Sequence, residues 1–239
     1  WSLDASLRFD YRQISPVEES VSERIGVIRQ REFNNFSGAL GITHRLTQTL
    51  STRLLLLRSF RPPTLEELYS EGPHLAAYAF EIGNPALSPE TGTGVEWQLM
   101  VNTDRLAAKG SVFFNRFNGY IFPQNTGETN YRTLLPLYQY HGASVDFWGW
   151  EAITTLRLSS RIESKLNFGS VTATIRNSGR SLPRIPPLQG KWTVAYRCCK
   201  YSIEFGVRGA SRQSQIAQFE EPTDGYLVAD LRAEYTLPA

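Results

Sequence analysis

Chemistry-bearing side chains are few in this chain. Its 239 residues include three histidines. His74 shares a stretch with Tyr78 and Glu81, and His141 follows Tyr138 and Tyr140. Imidazole beside carboxylate suits zinc and other first-row metals, so His74 and His141 are candidate metal ligands. Aromatic rings near Arg61 or Arg132 suit a planar iron chelate or an anionic one. The candidate binding set is therefore His74, Tyr78, Glu81, Tyr140 and His141. Three histidines are sparse for a metal funnel, and a solvated loop position is the plainer reading of His74. His44 falls on an apolar file and reads as an interface residue rather than a ligand.

Catalytic patterns are missing. The sequence contains no GxSxG, HExxH or P-loop. Gly92-Thr93-Gly94 lacks a third glycine and a following helix. Asp146 and Glu151 are separated by an odd number of positions, which places them on opposite faces of a strand. No enzyme and no cofactor is expected. Cys198 and Cys199 are adjacent and close a disulfide only with strain, so they read as incidental thiols. Asn35-Phe36-Ser37 matches a glycosylation sequon, but Phe36 opens a strand and the match reads as coincidence. With 25 basic and 23 acidic residues, the net charge of +2 gives no support to a nucleic-acid partner.

Period-2 alternation dominates the chain and predicts an all-β antiparallel protein. About ten strands are expected, near 1–12, 36–47, 50–60, 92–104, 108–121, 139–158, 161–175, 188–198, 201–212 and 224–237. Leu54–Leu57 is apolar on both faces, and Phe113, Phe114 and Phe117 break phase, which suggests a bulge in 108–121. Thr64 with Glu67 fits a capping box for one short helix. Turns at 47–49, 159–160 and 199–200 are tight, whereas 13–35, 61–91, 122–138, 176–187 and 213–223 are long. Long connections confined to one end are what a transmembrane barrel shows, with short periplasmic turns and long external loops. Thirteen aromatics sit near strand ends, among them Trp1, Tyr11, Phe60, Trp97, Tyr120, Phe122, Trp148, Trp192 and Tyr226, as a headgroup-level girdle would require. Mean hydropathy is only −0.31. A barrel that is apolar outside and polar inside averages to such a value. Apolar runs are too short for a membrane-spanning helix.

One segment is more specific than periodicity. It runs Phe60-Arg61-Pro62-Pro63-Thr64-Leu65-Glu66-Glu67-Leu68-Tyr69, then Gly83-Asn84-Pro85-Ala86-Leu87-Ser88-Pro89-Glu90. This resembles TonB-dependent outer-membrane receptors, in which a strand ends in FR-x-PT, ELY follows, and GNP-x-L-x-PE leads into the next strand. Pro62 replaces the usual alanine. Leu182-Pro183-Arg184-Ile185-Pro186-Pro187, Glu221 through Tyr226, and Ala143 through Glu151 resemble later family segments in the same order. The motif positions Phe60, Arg61, Pro63, Thr64, Glu67, Leu68, Tyr69, Gly83, Asn84, Pro85, Leu87, Pro89 and Glu90 read as architectural rather than as ligands.

The resemblance implies a transmembrane β-barrel segment of about ten strands from a wide barrel of the 22-stranded type, open or partly closed as a piece. About ten strands would precede Trp1 and two would follow Ala239. Residues 1–239 would be one partial barrel domain, with the plug domain and the TonB-engaging segment absent. The lone methionine, Met100, fits a piece of something longer. It further implies the outer membrane of a Gram-negative bacterium, contact with outer-membrane lipid, and coupling to TonB through the plug of the parent protein. The expected activity is uptake of a scarce nutrient, an iron complex (siderophore or haem). The alternative is zinc or other metal import, because some relatives with a GPH…FE-x-GN loop carry such ligands. A soluble β-rich binding module would explain the alternation, but not the one-sided loops or the motif order. Strands 1–12 and 224–237 are expected as unpaired edges; a small closed barrel pairing them would count against a piece.

Overall fold

The computed structural model describes residues 1–237; Pro238 and Ala239 lie outside the described residues. In chain order the strands are β1 (Ser2–Ile14), β2 (Ser20–Ser22), β3 (Gly26–Ile28), β4 (Arg31–Arg45), β5 (Leu50–Arg61), β6 (Glu71–His74), β7 (Ala79–Ile82), β8 (Glu90–Asn102), β9 (Leu106–Thr129), β10 (Pro136–Arg157), β11 (Ile162–Ile175), β12 (Gln189–Cys198), β13 (Tyr201–Ala210) and β14 (Tyr226–Tyr235). Ten of them form an antiparallel wall in the order β1-β4-β5-β8-β9-β10-β11-β12-β13-β14. β2 and β3 make a hairpin within the first long loop. Helix α1 (Leu65–Tyr69), β6, a 3-10 turn (Leu75–Ala77) and β7 occupy the second. Among the described residues β1 and β14 each have a neighbour on one side only, so the sheet is open.

Alternation separates two faces cleanly. Cross-strand register aligns Leu3, Ile42, Leu54, Trp97, Val112 and Trp150 in one row. The next row holds Ala5, Leu40, Leu56, Val95, Phe114 and Trp148. This apolar face continues through Leu166, Trp192, Val207 and Ala229. Its large side chains stay uncovered, with Trp148 57% and Leu56 46% exposed. Among the described residues no buried layer packs against it, whereas a soluble sheet would need one. Two indole N–H groups on this face find a hydroxyl: Trp97 donates to Thr52 (2.7 Å) and Trp192 to Ser164 (2.9 Å). Such pairing is what a medium without water demands. The other face is polar and carries Arg53–Asp4 (2.6 Å), Lys165–Glu163 (3.1 Å) and Arg197–Glu163 (3.4 Å).

The short turns repeat one device. The hydroxyls of Thr47, Thr103 and Ser159 each accept two backbone N–H groups, from residues two and three positions on. A Ser or Thr side chain thereby replaces ladder partners and reverses the chain in few residues. At the other end, loops fold back and bury the apolar residues that the wall leaves free. One cluster joins Ile14, Phe33, Leu68, Leu87 and Ile121. A second joins Phe122, Val145, Ala173 and Leu182.

Several expectations need correction. The region 122–138 is not a long loop: β9 runs on to Thr129 and β10 begins at Pro136, leaving a tight reversal at 130–135. Pro123 and Gly127 hid the alternation. Above Asn118, where pairing with β8 ends, β9 has only β10 beside it, and such an edge tolerates proline. The bulge falls at Asn118-Gly119 opposite Ser144, above the phenylalanines rather than among them, and Gly119 supplies its positive φ of 68°. Phe113 and Phe117 share the polar face and Phe114 the apolar one, so phase is kept. Leu54 and Leu56 face out, while Leu55 and Leu57 lie opposite Gly41 and Ala39. Of the proposed girdle, Tyr120 and Phe122 pack into the second cluster and Phe60 against the first. Tyr226 shares the polar face with Arg208 and does not join it either.

Candidate functional site

The specific motif builds a knot at the loop end of the wall. Arg61, the last residue of β5, makes four hydrogen bonds: two to Glu90 (2.7 and 2.8 Å) and two to Glu67 (3.0 Å each). Glu67 also closes the capping box, accepting from Thr64 N–H (2.8 Å) while the Thr64 hydroxyl accepts from Glu67 N–H (3.2 Å). Glu90 accepts from Ile121 N–H of β9 (2.6 Å). One guanidinium thus ties β5, α1, β8 and β9 together, and Arg61, held charged by its hydrogen bonds to Glu90, is spent on architecture rather than on a chelate. Leu68 is fully buried beneath α1. Gly83 passes so close that a Cβ there would lie 2.5 Å from the Leu68 carbonyl carbon and Tyr69 nitrogen, which is why glycine stands there. Asn84 donates to the Tyr140 carbonyl (3.2 Å) and caps its own turn through Ala86 N–H (3.0 Å). Arg31 holds the carbonyls of Pro85 and Leu87.

This knot positions three candidate residues as one cluster. His74 Nδ1 lies 3.0 Å from Glu81 Oε1, and the Tyr140 hydroxyl donates to Glu81 Oε2 at 2.9 Å. Glu81 is buried, and the β7 strand carrying it pairs in parallel with β10, a contact the sequence did not reveal. Burial, reinforced by the Glu81 hydrogen bond, pushes the Tyr140 phenol up, so it stays a neutral donor. These side chains line a cavity of about 560 Å³ with Glu66, Glu67, Ser70 and Glu71. Tyr78 does not join them: it is exposed and takes a left-handed conformation (φ 49°).

His141 does not join them either. His141 pairs with Phe122 and lines a different cavity, of about 290 Å³. That cavity also presents Tyr138, Arg180, Arg184, Gln218 and Phe219. Two loops are locked together around it: Arg180 donates to Gln218 (2.5 Å) and Arg184 N–H to Glu220 (3.0 Å). Arg184 also stands over the Tyr138 ring at 5.9 Å. Sequence reasoning missed Arg180, Arg184 and Phe219 as cavity residues, although Arg184 lies within the Leu182–Pro187 motif. Arg132 sits exposed in the 130–135 reversal, outside both cavities. Among the described residues no three His, Cys, Asp or Glu side chains converge as a metal cage, and His74 and His141 line separate cavities.

An open antiparallel wall with an uncovered apolar face, a charged inner face and long loops at one end defines a transmembrane β-barrel domain. Residues 1–238 match the family described as TonB dependent receptor-like, beta-barrel, and the chain belongs to it. A hemin receptor of Yersinia enterocolitica is 25% identical over 203 residues, which are 74% of this chain and 29% of that protein. Among solved structures, the copper transporter OprC superposes with a TM-score of 0.82 at 18% identity, over 99% of this chain and 37% of that one. The ferric enterobactin receptor PfeA of Pseudomonas aeruginosa gives a TM-score of 0.65 at 19% identity, over 87% of this chain and 34% of that one. The chain thus spans about a third of the length of these proteins. The relatives are receptors and transporters, not enzymes.

Proposed function

We propose that this chain forms part of the barrel wall and five external loops of an outer-membrane receptor that takes up an iron complex, a siderophore or haem. The observation that carries the reading is the cavity beside β9 and β10 where Tyr138, His141 and Phe219 meet Arg180 and Arg184. Aromatic faces and fixed guanidinium groups are what an anionic, planar chelate binds. The family match supports an outer-membrane location, and the hemin and ferric enterobactin receptors support the cargo class. The Glu81 cluster with His74 and Tyr140 would form a second contact in the neighbouring cavity. Energy coupling through TonB and a plug would be supplied by other parts of the whole receptor.

The second reading is uptake of a metal ion, favoured by the His74–Glu81 pair inside an acidic cavity. Titrating the whole receptor with ferric catecholate, hemin, zinc and copper decides between them. Quenching by a ferric complex or hemin, weakened tenfold or more by Arg180→Gln with Arg184→Gln, supports the first. Binding of free metal alone, abolished by Glu81→Gln and untouched by the arginine changes, supports the second.

A further inference from the structure

Two sulfur ligands stand together at the short-turn end of the wall, where neither cavity uses them. Cys198 closes β12 and pairs with Tyr201 of β13, leaving Cys199 and Lys200 as a two-residue turn. Neighbours on an extended strand point to opposite faces, so adjacent thiols there diverge. These converge: Cys198 Sγ lies 3.7 Å from Cys199 Sγ. The turn is the cause. Cys199 takes a positive φ of 47°, a conformation that two-residue hairpin turns usually give to glycine, asparagine or aspartate. Glycine would adopt it freely, whereas cysteine adopts it against its own Cβ. The result is a second thiol held beside the first. Cys199 is exposed and Cys198 half-buried, so solvent and ions reach the pair.

The spacing suits a chelate better than a disulfide. Two thiolates bound to zinc at about 2.3 Å and subtending the tetrahedral angle stand about 3.8 Å apart. The observed 3.7 Å meets that with almost no movement. A disulfide would need the sulfurs to close to about 2.05 Å. Adjacent Cα atoms, about 3.8 Å apart across a trans peptide, also fall below the roughly 4.4 Å from which unstrained bridges start. A bridge made under such strain is easily reduced, so the turn favours the dithiol. Charge balance holds too: two thiolates and one divalent cation make a neutral complex, which Lys200 beside it in the turn does not repel. Among the described residues no third His, Cys, Asp or Glu side chain joins the pair, so further coordination positions open to water.

We infer that Cys198 and Cys199 bind a thiophilic divalent cation, zinc, as a two-thiolate chelate whose remaining positions are filled by water. Each thiol releases its proton to solvent, two per ion bound. With positions left open the ion is exchangeable rather than structural. Whole receptor in detergent, reduced and then freed of reductant without oxygen, should bind zinc in a one-to-one step read by competition with a chromophoric chelator. Cys198→Ser and Cys199→Ser should each weaken that step roughly tenfold or more, because a chelate loses one of its two bonds. With cobalt(II) in place of zinc, wild type should show near-ultraviolet thiolate-to-metal absorption. Both serine variants should lose it and Glu81→Gln should keep it, which separates this ion from one held in the acidic cavity. Two independent single variants keep the test valid if one fails to assemble. Alkylation of intact cell envelopes should label both thiols. Absence of thiolate absorption in reduced wild type, or absorption unchanged by both serine variants, overturns the inference. Recovery of the pair from the envelope as an unlabelled intramolecular disulfide overturns it as well.

Discussion

Leu55 and Leu56 are neighbours on β5, yet arginine should be tolerated at one and costly at the other. Leu56 lies in the apolar row between Leu40 and Val95, while Leu55 faces the polar side between Gly41 and Glu96. Leu56 stands six residues past Leu50, the start of β5, so at about 2.5 Å per residue it is about 15 Å up a band about 25 Å thick. That is close to the midplane, where a lipid-facing arginine costs about 2–4 kcal/mol. Leu55→Arg would meet Glu96 in a charged, hydrated interior and should cost less than about 1 kcal/mol. The predicted gap is about 2–3 kcal/mol, a factor of roughly 30–150 in the folding equilibrium. Guanidinium titration of the whole receptor folding into phospholipid vesicles, followed by tryptophan fluorescence, would read it. Equal costs, or a larger cost for Leu55→Arg, would refute the assignment of faces and with it the lipid contact.

Other outcomes follow from the knot and the cluster. Arg61→Gln leaves Glu90, whose side chain is 9% exposed, without its cation; the loss should be about 2 kcal/mol, below the 3–5 of a fully buried pair because Arg61 is partly exposed, and a chemical melt would show it. Wild-type stability should fall as pH rises past about 10, the ordinary tyrosine value, because the folded state holds the Tyr140 proton more tightly than the unfolded chain does. Tyr140→Phe should flatten that alkaline limb; an unchanged limb would mean Tyr140 is not the group responsible. Gly83→Ala should lower the melting temperature by displacing α1, since the added methyl meets backbone at 2.5 Å. A thermal scan showing no change would contradict that close approach.

Much of the wall was legible because its surroundings are simple. One face meets lipid and the other water, so alternation along Tyr201–Ala210 or Tyr226–Tyr235 is nearly undisturbed, and all ten wall strands fall where the period places them. The knot was legible as architecture because prolines, Thr64 and Glu67 have strong local preferences. Its hub was half legible: Arg61 reads as an architectural motif residue and also as suiting an anionic chelate, until Glu67 and Glu90 are seen around it. The extended hairpin above Asn118 was hidden because the neighbours Ile121 and Phe122 are both buried against loop residues, which erases the apolar–polar contrast, and because Pro123 and Gly127 interrupt the pattern. Pairing in the two cavities depends on contacts such as Arg180–Gln218 between loops and Glu81–Tyr140 between β7 and β10, whose sequence separations of 38 and 59 no local pattern encodes.

The central claim, a barrel wall across the outer membrane with its long loops outside, is tested most directly by thiol labelling of single-cysteine receptors on living cells. Cys198 and Cys199 are first replaced by serine, since both are free. Tyr131→Cys, at the exposed tip between β9 and β10, should react with a membrane-impermeant maleimide on intact cells. Gln48→Cys, in the short turn between β4 and β5, should react only after the outer membrane is permeabilised. Labelling of Gln48→Cys on intact cells, with Tyr131→Cys protected or both equally reactive, would contradict the account.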